Sequence, residues 1–147
     1  MIRFGTYTRY NDYDFRLLNK ADYYRIVCDG TICPFSNFTK YANNFFYLDV
    51  PKENITNAFS ISTFGIYKGY QFDVNTMIDN SYIGIVTDNK EAFDKLNLEF
   101  RDRGVYQKEI KISELEKLWE VRSISNLDLP IPEGLKEYEE IEIPKNI

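Results

Sequence analysis

The residues able to do chemistry in this chain are defined first by a gap, because its 147 residues contain no histidine. A Ser–His–Asp or Cys–His arrangement is therefore impossible, as is any metal site built on imidazole. The seven glycines are scattered, with no G-x-G-x-x-G and no G-x-x-x-x-G-K, so no phosphate-cradling loop is present. Cys28 and Cys33 are the two cysteines, in a C-x4-C spacing around Asp29-Gly30. One such pair falls short of the four ligands of a structural zinc site. Only Arg25 lies near enough in sequence to activate a thiol, and the expectation is two reduced, partly buried thiols. What remains for catalysis is a carboxylate pair drawn from 23 acidic side chains, a possibility without a motif. The reading from these residues is no enzyme, no cofactor and no metal.

Aromatic chemistry is the second resource. Twelve Tyr, eleven Phe and one Trp make up 16% of the chain. Such residues suit pleated, half-buried surfaces, and tyrosine also suits a binding face, offering a rigid ring with a polar tip. A nucleic-acid stacking platform would need them interleaved with a basic groove. The closest match is Tyr7, Arg9, Tyr10, Arg16, Tyr23, Tyr24 and Arg25, but Asp12, Asp14 and Asp22 lie among them, so nucleic acid is not the expected partner. Charge is divided unevenly. Residues 1–90 carry 9 basic and 9 acidic side chains, whereas residues 91–147 carry 9 and 14, which places the whole net charge of −5 in the last third. An acidic surface repels nucleic acid and lipid headgroups and attracts a basic protein.

The elements that must position these groups read mainly as strands. Residues 2–29 hold three alternating runs, IRFGTYTRY, YDFRLL and DYYRIVCD, with tight polar connections at Asn11-Asp12 and Asn19–Ala21, which predicts an antiparallel meander. Pro34, Ser36, Asn37, Asn43 and Asn44 break the next stretch into a loop, and NFFYLDV (44–50) restores a strand closed by Pro51. KENITNAF reads as one short helical turn, and SISTFGIYKGYQFDV as a strand bending at Gly65 or Gly69. YQFDVNTMI and SYIGIVT, joined by Asp79-Asn80, form the clearest hairpin. Asp88 with Glu91 predicts an N-capped short helix over NKEAFDKLN. Arg103-Gly104 turns the chain into the strand VYQKEIKI. Ser113 with Glu116 predicts a second helix, with Leu115, Leu118 and Trp119 on its apolar face and EVRSI resuming as a strand. Trp119 is expected in the core, and Glu120 and Arg122 as a structural pair at the helix exit. From about residue 126, Pro130, Pro132 and Gly134 mark an extended acidic arm, with Lys136 and Lys145 its few cations.

The expected fold is α+β: one domain over 1–147, a mostly antiparallel sheet of about six to eight strands, and two short helices in the C-terminal half. No apolar run approaches the ~20 residues of a membrane span, and the start lacks a signal peptide's apolar segment, so the expected location is the cytoplasm.

The run LEKLWEVRSISNLDLPIPEGL (115–135), together with IYKGYQFDV (66–74) and RFGTYTRYNDYDFRL near the start, resembles small immunity proteins encoded beside bacterial polymorphic and contact-dependent toxins. That resemblance implies a cytosolic inhibitor without catalytic residues, whose partner is a cognate toxin domain. Many such toxins are nucleases with basic clefts. It also implies contacts through a mixture of acidic and aromatic side chains, for which Glu133, Glu137, Tyr138, Glu139 and Glu140 are the candidates. The competing readings are a generic protein-interaction or regulatory module and a small carboxylate-based enzyme. A concave pocket with converging carboxylates would favour the enzyme.

Overall fold

The structure, a computed structural model, describes residues 2–29, 33–42, 45–79 and 81–144. Gly30, Asn43, Asn44, Asn80 and Lys145, to which the sequence assigns turn, loop or charge roles, lie outside the described residues. The chain divides into two compact units. One, the meander unit, comprises Gly5–Ile61 and Arg122–Leu135; the other, the helix unit, comprises Met1–Phe4, Ser62–Val121 and Lys136–Ile147.

In the meander unit, β1 (Gly5–Tyr10), β2 (Tyr13–Asn19) and β3 (Tyr23–Asp29) form the expected antiparallel ladder, and β5 (Phe45–Pro51) and β4 (Thr39–Ala42) extend it. The β1–β2 turn closes with Tyr10 opposite Tyr13, and its two residues, Asn11 and Asp12, have φ of 52° and 62°. Asn and Asp tolerate this left-handed backbone, which matches the twist of the flanking strands. A 3-10 turn at Lys52–Asn54 stands where one helical turn is expected. On one face Phe15, Leu17, Ile26, Cys28 and Val50 are buried, covered by the stacked rings of Phe35 and Phe38. Leu127 and Leu129 of the C-terminal arm pack on the same core, and the Ala58 N–H donates to the Pro130 carbonyl at 3.0 Å. Residues 124–135 have no strand, but their leucines anchor them to this unit.

The helix unit is built on β6 (Phe59–Tyr67), of which residues 62–67 belong to it. The order outward on one side is β7 (Tyr70–Met77), β8 (Tyr82–Thr87), β10 (Val105–Lys111) and β9 (Glu99–Asp102). On the other side β11 (Lys117–Ser123) pairs with β6, and β12 (Tyr138–Glu140) pairs with β11. Phe72, Val74, Ile83, Ile85, Ile110 and Leu118 form its core. Ala92 of α1 (Lys90–Leu96) packs there too. The β6–β7 turn lies at Lys68-Gly69, with φ of 48° and 86°. Gly65 sits inside β6, where an added Cβ would lie 3.1 Å from the Lys117 carbonyl oxygen.

The expected layout of six to eight strands and two helices is overturned. Among the described residues there are twelve strands, one α-helix and two 3-10 turns. The second helix is replaced by a 3-10 turn at Ile112–Glu114 followed by β11. Leu115, Leu118 and Trp119 fit a helical stripe, but residues 117–123 alternate in burial, with Leu118, Glu120 and Arg122 inward. Two of those three are charged, which hides a period of two. Glu116 is no capping residue either: its carboxylate accepts the Gly69 N–H at 2.8 Å. The helix that does form is capped by Asn89, not Asp88; the Asn89 Oδ1 accepts the Ala92 N–H at 3.2 Å. Strands β4, β9 and β12 were missed because all their residues are exposed, leaving no alternation to read.

Candidate functional site

Register places a set of side chains on the face of the helix unit's sheet opposite its core. Beyond the Lys68-Gly69 turn, Phe64 lies opposite Asp73, and Asp73 opposite Val86. On the other side of β6, the Trp119 ring stacks on Phe64 at 5.9 Å and approaches Tyr138 of β12 at 6.4 Å. The row Tyr138, Trp119, Phe64, Asp73 therefore crosses four neighbouring strands, from aromatic to acidic. Lys117 reaches over both rings, 5.4 Å from the Trp119 centroid and 5.8 Å from that of Tyr138. Its ammonium pKa is raised, first by a side-chain hydrogen bond with Tyr138, with Glu140 adding its charge. Trp119, expected in the core, is half-buried on this outer face.

At the acidic end a cavity of about 420 Å³ opens among Gln71, Asp73, Val86, Asp88, Asn89 and Val105. The Asp73 carboxyl is pushed above its ordinary pKa, mainly by loss of solvent and then by the charge of Asp88. Asp73 still keeps an exposed surface, so the loss of solvent is partial. The cavity has two valine walls and a polar rim that includes two carboxylates. It is also the concave, carboxylate-lined feature that the enzyme reading requires.

The sequence candidates separate. Tyr138, Glu139 and Glu140 are the whole of β12, exposed, with Tyr138 opposite Val121 and Glu140 opposite Trp119. Glu137 adjoins them in the same unit, whereas Glu133 is an exposed residue of the meander unit. Glu139 lies opposite Glu120, not on the aromatic face. Glu120 and Arg122 are both buried, and Glu120 is paired with Arg3, whose Nη2 donates to it at 2.8 Å. Phe64, Asp73 and Asp88 were missed. With the turn fixed at 68–69, counting three residues back along each strand pairs Phe64 with Asp73, a signal available in principle.

The aromatic and basic set near the start does not assemble into a stacking groove. Tyr7 and Tyr24 are buried, Arg9 pairs with Asp14 at 2.9 Å, and Arg25 pairs with Asp49 at 2.7 Å while lying 4.2 Å from the Tyr47 ring centroid. Cys28 is buried, Cys33 half-buried, and both are free thiols. Among the described residues no group of three or more His, Cys, Asp or Glu side chains is placed to hold a metal ion. No helix there is long and apolar enough to cross a membrane.

The family model described as "Uncharacterised conserved protein UCP033725" matches residues 2–127. The chain belongs to this family. No curated protein and no solved structure matches it. The UCP033725 match spans Phe64, Asp73, Asp88 and Trp119, and ends before Glu133 and β12. The acidic cleft and most of the aromatic row thus lie within the family's span, and the acidic arm lies beyond it.

Proposed function

We infer that the chain is a cytosolic protein-binding module of the immunity type, which neutralises a basic toxin domain by docking it on the outer sheet face of the helix unit. The observation that carries this reading is the row of Tyr138, Trp119 and Phe64 ending beside Asp73. Accessible aromatic rings with charge at the rim are the usual composition of an interface, and acidic surroundings hasten capture of a basic partner. Of the residues expected to make contact, Tyr138 and Glu140 fit this face best, with Glu137 at its rim. A generic interaction module would use the same face for a different partner.

The test is co-expression of a toxin domain encoded beside this chain, with growth and complex formation measured. Wild type should restore growth and form a salt-sensitive complex. Trp119→Ala should weaken the complex by at least about 2 kcal/mol, as truncation of a central aromatic anchor does. Absence of rescue would refute the immunity reading. Rescue with unchanged affinity in Trp119→Ala would refute this face.

A carboxylate-based enzyme is the second reading, favoured by the concavity around Asp73 and Asp88. The exposure of Asp73 weighs against it, since a general acid tuned by burial sits in a drier site.

A further inference from the structure

We propose that the cavity between Asp73 and Asp88 seats a single arginine side chain of the protein partner and so anchors the docking face; this rests on the binding reading given above. The walls come first. Val86 and Val105 offer apolar surface on which the methylene stem of a long cation can lie. A volume of about 420 Å³ is within the lower range of ligand cavities, and larger than a bare ion requires.

The carboxylates then set the sign of the occupant. The influences that shift Asp73 are lost solvent and the negative charge of Asp88, with no cation among them. Neither aspartate forms an ion pair among the described residues. Two negative groups share one concave space without an internal counter-charge.

Three kinds of cation compete for it. A hard divalent ion takes six or more oxygen ligands, usually with several carboxylates, and the described residues place no group of three or more His, Cys, Asp or Glu side chains to hold one. A lysine ammonium can lay its stem on the same walls, but it is a compact, strongly hydrated point charge without a planar fork to bridge two carboxylates. A guanidinium carries five donors in a planar fork, which suits a site that offers two carboxylates and an amide oxygen. The Asn89 amide oxygen already accepts the Ala92 N–H. Arginine is the occupant this geometry favours.

The experiment is a titration of the full chain followed by amide chemical shifts, using N-acetyl-arginine amide, N-acetyl-lysine amide and calcium chloride as separate probes. The arginine probe should give saturable shifts confined to residues 71–73 and 86–89, with a dissociation constant on the order of millimolar, as expected for one isolated side chain. The lysine probe should bind about tenfold more weakly, and Asp73→Asn and Asp88→Asn should each abolish the arginine shifts. No saturable shift, equal binding of lysine, preferential binding of calcium, or retention of arginine binding in Asp73→Asn would each overturn the proposal. The partner complex separates this failure from that of the binding reading. A complex sensitive to Trp119→Ala but indifferent to Asp73→Asn removes the anchor and leaves the docking face. Absence of any complex removes the face itself.

Discussion

The ion pair between Arg3 and Glu120 holds the segment before β1 against β11, and breaking it from the Glu120 side should be costly. The Arg3 Nε and Nη2 donate to the two Glu120 carboxylate oxygens at 3.0 and 2.8 Å, a two-pronged geometry. Glu120 is 5% exposed at its side chain and Arg3 25%. Removing one partner of a fully buried pair costs about 3–5 kcal/mol, chiefly because the other charge stays desolvated. Arg3 retains a quarter of its exposure, so water recovers part of that penalty, and Glu120→Ala should cost about 2–3 kcal/mol. With a urea slope of about 1–3 kcal/mol/M, the unfolding midpoint should fall by about 0.7–3 M. The assay is equilibrium urea unfolding of wild type, Arg3→Ala, Glu120→Ala and the double variant. The coupling energy should be at least about 1 kcal/mol, because the second truncation removes a group already stripped of its main partner. Additive single effects, or a Glu120→Ala cost below about 0.5 kcal/mol, would refute this account of how β11 holds the segment.

Two further outcomes follow from single residues. Gly65→Ala should destabilise the chain by about 1–3 kcal/mol in the same urea assay, because the added Cβ would meet Leu115 Cδ2 at 3.0 Å and the Lys117 carbonyl at 3.1 Å, where backbone cannot yield. Asp73→Asn should raise the melting temperature at pH 7 and leave it unchanged near pH 3. The folded pKa of Asp73 lies above its unfolded value of about 3.9, so wild type loses stability as pH rises through that window, and the amide removes the loss.

The strands of the meander were legible because their inward residues are apolar and their turns use Asn and Asp, so propensity and burial agree. The 70–87 hairpin and α1 were legible for similar reasons, although the cap shifted from Asp88 to Asn89, an equally good capping residue. Strand β11 was not legible. Its inward face is Leu118, Glu120 and Arg122, and a charged residue counts as outward until its partner is known. Arg3 is 117 positions away in sequence, beyond the reach of local pattern. The edges were illegible for a different reason. Strands β4 and β9 each have four exposed residues and a register shift against their neighbour, features that protect a sheet edge from pairing and also erase alternation. Acidic content pointed to the C-terminal arm because charge density is visible in one dimension. Phe64, Asp73 and Trp119 lie together only after two strand pairings are drawn, β11 with β6 and β6 with β7.

On the proposed reading, Asp73 sets stability against binding. A carboxylate partly withdrawn from water beside another carboxylate costs some stability, and asparagine of nearly the same shape would recover it. Such violations concentrate where a ligand later supplies the missing charge. If Asp73 were only a tolerated surface residue, Asp73→Asn would gain stability and change nothing else. If it is the floor of an arginine seat, the same variant gains stability and loses the guanidinium probe. Because that variant is expected to be the more stable protein, loss of binding in it cannot be attributed to unfolding. The same substitution therefore separates a structural carboxylate from a recognising one.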